Sequence, residues 1–360
     1  MDVVIAAYQS ASVVHYLSRC VPQVLHHSRL VRDESDSAVT EQTRVRPFGG
    51  RRDEWPLVTV IATCYNHARF VEDCLESIRA QEYPALQLII TDDCSIDDSV
   101  SKIQQWLDRH LFPATLIANT ANRGLVPTLN DAWRLAEGEF VVPMSTDDLM
   151  EPGRLQGQIP HFVELPPTAG VLYSDALVVD ETGTKVAGTV SEQNWWFKTP
   201  PEGDVFPYLL RWNFVPSPAV VIRRSAKDAV GEYDESLAYE DLDMLLRLAR
   251  HYEFYFYATP GARCRVVEGS FWRSRQVAIA ESRIRILAKW LDDDELRVLV
   301  IPRLRDAVHH FSSLDRRASL PYLRMLCDLQ PGWASRGRYA LTRLGVGYDV
   351  QQRFITRFRS

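Results

Sequence analysis

The stretch "VTVIATCYNHARFVEDCLESIRAQ", residues 58–81, carries two hydrophobic periods back to back. Val58 to Ala62 is a β-branched run that gives way to Thr63, Cys64, Tyr65 and Asn66, the pattern of a buried strand ending at a polar rim. Phe70, Val71, Cys74, Leu75 and Ile78 then recur at helical spacing and predict an amphipathic helix. The alternation continues downstream. "LQLIITDD" predicts a second strand and "SVSKIQQWLDRHL" a second helix. "ATLIAN" predicts a third strand, "VPTLNDAWRLAEG" a third helix with Gly138 as its C-cap, and "EFVVPM" a fourth strand. Strand and helix in turn imply an α/β fold with a parallel sheet wound by right-handed crossovers.

Ligands of such sheets bind outside the carboxyl ends of the strands. There the chain places Thr63 to Asn66, then Asp92 and Asp93 followed by Ser95, Asp97 and Ser99, then "NTANRG", and finally Asp147 and Asp148. No G-x-G-x-x-G follows the first strand and no G-x-x-x-x-G-K-[ST] occurs, which argues against a dinucleotide fold and a P-loop. A nucleotide held here is gripped by side chains: Tyr65 on the base, Asp93 on base or ribose, and a metal on the diphosphate.

Charge and composition narrow the classes. A formal net charge of −6 argues against a nucleic-acid partner, since phosphate neutralisation needs a basic face. Six cysteines without a C-x-x-C pair read as reduced thiols of a cytoplasmic chain. No stretch approaches the 18 or so apolar residues of a membrane span. Residues 1–54 read as a short helical segment and a polar linker. Beyond residue 150 the pattern loosens. "GVLYSDALVVDETGTKV" predicts two strands about a turn at 180–183, "SPAVVIRRSA" a strand, "YEDLDMLLRLARHYEF" a helix starting near Glu240–Asp241, and "FYFYATPGARCRVVEGS" a strand. From residue 276 the pattern is helical and rich in arginine.

Four segments, in order, resemble a family 2 glycosyltransferase of the GT-A fold over roughly residues 57–272. They are "VTVIATCYNHARFVEDCLESIRAQEYP", "LIITDDCSIDDSV", "NRGLVPTLNDAWRLAEGEFVVPMSTDDLMEPGRL" and "VGEYDESLAYEDLDMLLRLAR". The resemblance implies a mixed, mostly parallel sheet flanked by helices: a nucleotide-sugar half at 55–150, an acceptor half at 151–275 and a helical extension at 276–360. It places Thr63, Tyr65, Asp93, Arg123 and Thr146 with the nucleotide of a UDP-, GDP- or dTDP-sugar. Asp147, with Asp148 beside it, matches the acids that bind Mn²⁺ or Mg²⁺. Asp241 matches the base that deprotonates the hydroxyl of a glycan or lipid-linked acceptor, with Glu240 raising its proton affinity. This is hexosyl transfer by inverting displacement, as in polysaccharide biosynthesis. Two positions depart from the pattern: Ser145 stands where the first metal-binding acid is common, and Val267 where a further histidine ligand is common.

Plainer readings stand beside these. Asp147–Asp148 could cap the following helix, Asp92–Asp93 could serve an Asx-turn network, and Glu240–Asp241 could simply favour a helix dipole. Tyr65 could be rim packing, and Trp195, Trp196 and Phe197 either stack on an acceptor sugar or form a buried cluster. The C-terminal helices either dock on the sheet through Leu320, Leu323 and Leu326 or lie on a membrane surface as peripheral anchors. The second functional reading is a non-catalytic family member that binds nucleotide or glycan, or acts as a scaffold.

Overall fold

The computed structural model describes residues 55–194, 199–267, 275–348 and 350–351. The first segment and linker at 1–54, the aromatic triplet Trp195–Phe197 and the tail from 352 lie outside them. The opening half follows the expected alternation. In order come β1 (Val58–Cys64), α1 (Val71–Arg79), β2 (Leu86–Asp92), α2 (Ser99–His110), β3 (Ala114–Ala118), α3 (Leu125–Arg134) and β4 (Phe140–Ser145). β1 lies between β2 and β4, parallel to both, and β3 extends the sheet beyond β2.

Burial on both faces explains why β1 is continuously apolar rather than alternating. Val58, Val60, Ala62 and Cys64 pack in one core cluster with α1 residues Val71, Cys74, Leu75 and Ile78. Ile61 points the other way, into a second cluster with Leu129 and Trp133 of α3. Ile61, Ile89 and Ile90 have no exposed surface, and each such side chain contributes about 1.5–3 kcal/mol of burial. Gly138 is not the C-cap expected of it, because α3 ends at Arg134 with Leu135 as its C-cap. Its role is close approach: a Cβ there would stand 2.5 Å from the Thr59 amide nitrogen and 2.8 Å from the Leu57 carbonyl oxygen.

The second half completes a mixed sheet. It contains β5 (Leu149–Met150), α4 (Arg154–Glu164), β6 (Ala169–Val179), β7 (Lys185–Thr189), α5 (Val190–Asn194) and α6 (Phe206–Arg211). A single 3-10 turn, Ser217–Ala219, leads into β8 (Val220–Arg223), so the strand expected over 217–226 is only its middle. The remainder of that segment begins α7 (Arg224–Val230); α8 (Glu240–Ala249) and β9 (Glu253–Arg265) follow. The sheet order is β3-β2-β1-β4-β8-β6-β9-β5, with β7 on β6. β8 runs antiparallel to both β4 and β6, and β9 runs parallel to β6.

Four helices close the described chain: α9 (Gln276–Ala288), α10 (Asp294–Leu314), α11 (Leu320–Leu329) and α12 (Trp333–Arg343). Ile284, Val300, Leu304, Phe311, Leu323 and Leu326 join the core cluster that holds Ile61 and Trp133, which supports the docked reading of this region. No described helix is long and apolar enough to cross a membrane. The molecule has the GT-A architecture, with helices on both faces of a mostly parallel sheet and a helical C-terminal part.

Candidate active site

Register brings three strand ends level. Thr63 pairs with Ser145 across the β1–β4 ladder, and Cys64 pairs with Asp92 across β1–β2. Pairing continues one residue further, with the Thr146 N–H on the Thr63 carbonyl at 2.9 Å and the Asp93 N–H on the Cys64 carbonyl at 3.0 Å. The sheet order reverses between β1 and β4, the switch point where α/β ligands bind. Tyr65 leaves this rim 45% exposed, so its ring is open to a ligand and is not packed. The Thr63 hydroxyl faces inward and donates to the Met144 carbonyl at 3.3 Å.

The Asx-turn reading of the second strand end holds for Asp92 and Asp97. Asp92 accepts from the Ser95 N–H and hydroxyl at 2.8 and 2.5 Å. Asp97 accepts from the Ala68 N–H at 3.0 Å and from the Ser99 N–H and hydroxyl at 3.0 and 2.5 Å, tying the loop after β1 to the start of α2. Asp93 is buried and takes the Arg123 and Gly124 N–H groups at 2.8 and 2.7 Å. It also takes the Thr128 hydroxyl and the Asn119 amide, each at 3.1 Å. Asp93 is thus the keystone of the segment that starts α3. Arg123 turns its guanidinium to Asp131 at 2.5 Å, on the outside of that segment.

At the fourth strand end the two acids part. Asp148 is buried, accepts from the Arg265 N–H at 2.8 Å and bonds the Cys264 thiol. Burial, then the Asp147 charge beside it, holds its proton affinity well above the usual carboxylate range. The Arg265 guanidinium lies behind the turn, donating to the Asp147 carbonyl at 3.3 Å and to Asp73 at 3.0 Å. Neither acid caps a helix. α4 begins after Gly153, whose φ of +73° suits glycine, and no side chain caps it. The Asp147 carboxylate has one partner among the described residues, the Nε2 of His67 at 3.9 Å. The other ring nitrogen of His67, Nδ1, is 2.9 Å from the Thr146 hydroxyl.

The antiparallel β8 starts where β4 ends, so the turn before it returns to the same rim. There the Ser217 hydroxyl donates to Asp241 Oδ2 at 2.5 Å and the Asn213 amide approaches the same oxygen at 3.4 Å. The Leu242 N–H donates to Oδ1 at 2.7 Å. Burial raises the proton affinity of Asp241 despite these donors. Its neighbour Glu240, buried and repelled by Asp241, is pushed up to about 8. The pair opens α8, so the dipole reading also applies, but it does not account for a carboxyl displaced so far upward. Behind the Ser217 turn, Arg154 is buried and holds the Pro218 and Val220 carbonyls at 2.6 and 3.0 Å. Burial lowers it to about 9, and no carboxylate pairs with it among the described residues.

His67, Arg154, Ser217 and Arg265 were not expected from sequence. His67 follows the T-x-Y-N turn directly, which is the one local signal available; the other three act across 24 to 118 positions of the chain. A shallow depression of about 290 Å³ between α1 and β5, lined by Asp73, Glu76, Met150 and Arg263, contains none of the rim residues.

Among the described residues no three His, Cys, Asp or Glu side chains converge to hold an ion. The donor set therefore does not fit a resident metal. The Asp147 carboxylate, a hard oxygen donor facing the rim, fits an ion that arrives with diphosphate oxygens and water.

Residues 59–229 match the profile of glycosyl transferase family 2. This region is a family 2 glycosyltransferase domain. EpsE of Bacillus subtilis (strain 168), named as a glycosyltransferase, is 33% identical over 132 residues, 37% of this chain and 47% of EpsE. TuaG of the same organism, whose name places it in teichuronic acid biosynthesis, is 32% identical over 111 residues, 30% of this chain and 43% of TuaG. The chain thus spans less than half the length of either curated relative. The crystal structure of S. aureus TarS 1–349 in complex with UDP aligns with a TM-score of 0.60 at 18% identity, covering 84% of this chain and 91% of that one. Mannosyltransferase PcManGT from Pyrobaculum calidifontis, in complex with GDP-Man and Mn²⁺, aligns at 0.52 with 19% identity, covering 83% and 88%. At these identities the structural likeness establishes the shared fold.

Proposed function

We propose that this protein transfers a hexosyl unit from a nucleotide-sugar to a hydroxyl of a glycan or lipid-linked acceptor, with inversion, in polysaccharide biosynthesis. The observation that carries the reading is one rim that presents Tyr65, Asp147 and Asp241 from three separate parts of the chain. The likeness to TuaG, whose name places it in teichuronic acid biosynthesis, supports the pathway class. The cytoplasmic placement read from the cysteines belongs to the same proposal, with a lipid-linked acceptor met at the inner membrane face.

Asp241 takes the proton of the acceptor hydroxyl. That oxygen attacks the anomeric carbon, and the bond to the diphosphate breaks with its electron pair leaving on the nucleoside diphosphate. Ser217 and the Leu242 N–H favour the charged form of Asp241, whereas Glu240 accepts only from its own backbone among the described residues. Glu240 is the member pushed further up, to about 8, which makes Asp241 the better placed of the two to act as the base. Tyr65 stacks on the base of the donor, and Asp148 supports the Asp147 turn from inside. Asp147 would hold a Mn²⁺ or Mg²⁺ ion arriving with the donor, and that ion would supply Lewis-acid neutralisation of the diphosphate.

A thermal-shift series with UDP, GDP and dTDP, each with and without Mn²⁺, tests the reading. A matching nucleotide at about 100 times its Kd adds ~2.7 kcal/mol of apparent stability. Failure of every nucleotide to shift the transition would overturn the proposal. Binding without transfer from any donor sugar to any glycan acceptor would instead favour the binding-only family member, for which the lack of a three-ligand metal cluster among the described residues speaks.

A further inference from the structure

The helices α6, α9 and α10 gather four arginines beside the turn that carries Asn213. α6 ends in Arg211, whose carbonyl accepts from the Arg283 guanidinium of α9 at 2.7 Å. That guanidinium also faces the Trp212 ring, 6.0 Å from its centroid. α10 packs against both α6 and α9 and adds Arg303, Arg305 and Asp306. Arg305 pairs with Asp306 at 3.3 Å, and the Asp306 charge reaches Arg283 and Arg303 as well. Four guanidinium groups thus share one carboxylate. Arg303 forms no ion pair of its own among the described residues. Burial, then the charges of Arg211, Arg283 and Arg305, lowers its proton affinity.

The cluster stands next to Asp241. Arg211 is two residues before Asn213, whose amide approaches Asp241 Oδ2 at 3.4 Å. Tyr239, two residues before Asp241, bonds Asn213 and feels both the Asp241 and the Arg283 charge. The Asp241 carboxylate is engaged by Ser217, Asn213 and the Leu242 N–H, and no ion pair joins it to the arginines among the described residues. Arg283, Arg303 and Arg305 are partly buried and Arg211 is exposed, so the group is open to solvent on one side. Like charges held together at such a surface repel more strongly than in water, and an anion relieves the repulsion. In a chain of net charge −6 this is a local excess. Guanidinium forks match the oxygens of a phosphate in charge and in spacing.

We propose that Arg211, Arg283, Arg303 and Arg305 form an acceptor subsite, which holds a phosphate group of the acceptor while its hydroxyl meets Asp241. The proposal rests on the reading of Asp241 as the base. It narrows the acceptor from any glycan or lipid-linked hydroxyl to one that carries phosphate near the reacting sugar. That phosphate belongs either to the diphosphate of a lipid carrier or to a phosphodiester within the glycan. Three of the four arginines lie beyond residues 59–229, the part that matches the family profile, so the subsite is built by this chain's helical extension.

Calorimetric titration of the full chain with inorganic pyrophosphate tests this, with UDP held saturating to fill the donor side, or GDP or dTDP if the thermal series selects it. One pyrophosphate should bind per chain, more weakly as salt rises. Arg303→Gln should weaken it about tenfold or more while nucleotide binding stays as in the wild type. Asp306→Asn removes the carboxylate that competes with the anion and should tighten pyrophosphate several-fold, a gain that a purely structural role would not give. No pyrophosphate binding by the wild-type chain, a measurement that needs no variant to fold, overturns the proposal. Equal binding by Arg303→Gln, or weaker binding by Asp306→Asn, overturns it as well. Geranyl diphosphate that displaces pyrophosphate identifies the lipid-linked source, and glycerophosphoglycerol that displaces it identifies the phosphodiester glycan. Displacement by neither overturns the acceptor assignment. Should Asp241→Asn keep its turnover, the base reading fails instead, and the pyrophosphate titration still judges the anion site by itself.

Discussion

Asp93 in the first half of the domain and Asp241 in the second are both held by several donors at one rim, yet the environments diverge. Asp93 takes four donors from a single segment, Asn119 to Thr128, and ties that segment to the end of β2. Asp241 takes the Ser217 and Asn213 side chains and the Leu242 N–H, and shares its site with Glu240, which is pushed up to about 8. The first carboxylate organises a loop; the second, beside a neighbour whose proton affinity is raised, has its own affinity raised by burial. Equal-looking acids thus divide by what surrounds them, and each half can be broken separately.

Asp241→Asn removes the proposed base with little change in shape, so kcat should fall by about 10²–10⁴ with nucleotide binding retained, measured by transfer assay and calorimetry. A variant with near wild-type kcat would move the base elsewhere. Asp93→Ala should do the reverse. It strands the Arg123 and Gly124 N–H groups in a buried site, costing about 2–4 kcal/mol by denaturant titration. Gly124 sits at φ +91°, so that segment cannot easily re-form its contacts with other side chains. Stability loss under 1 kcal/mol would mean the four hydrogen bonds matter little.

Sequence reading worked best where geometry is local. The first four strands and three helices follow directly from periodicity, because each strand pairs with near neighbours in register and is buried on both faces. Tyr65 and Asp147 fall at the rim for the same reason: a strand end fixes the next two residues. The reading weakened where chemistry depends on distant chain. The resemblance points to Asp241, but the Ser217 hydroxyl that donates to it lies 24 residues earlier on a turn that no period marks. Arg154 reads as an ordinary helix residue, yet it is buried without a counter-charge and braces that same turn from more than 60 residues away. Asp148 stands beside Asp147 as cap or support in the sequence reading, and it is the late strand β9 that holds it inward through the Arg265 N–H.

Ser217→Ala sharpens the acceptor side of the comparison. The Ser217 hydroxyl favours the charged form of Asp241, so its loss raises the proton affinity of the base further. A base with raised affinity is protonated, and inactive, over a wider acidic range. The acid limb of kcat against pH should therefore move to higher pH. At a fixed pH on that limb the rate should drop by a factor of about 10–100, the worth of one hydrogen bond to a charged group. An unchanged profile would separate Ser217 from the base. The neighbouring Glu240→Gln bears on stability with the same sign logic. A carboxyl raised to about 8 binds a proton in the fold that the unfolded chain releases near its ordinary value of 4.5. Wild-type stability should decline as pH rises through that window, and the variant should lose most of the decline.

The smallest effect probes the donor side. Cys94, the residue after Asp93, has φ +62°, a left-handed conformation that costs a side chain with a Cβ roughly 1 kcal/mol and glycine nothing. The turn holds that shape because Asp92 and Asp93 on one side and Ser95 on the other are all tied down by hydrogen bonds. Cys94→Gly relieves the strain but frees the unfolded chain, which opposes the gain by about 0.5–1 kcal/mol. The net should be a stabilisation of under ~1 kcal/mol, read as a small rise in denaturation midpoint without change in slope. A loss instead would show that the half-buried Cys94 side chain makes contacts worth more than the strain. The turn beside Asp93 would then be held by packing as well as by its carboxylates.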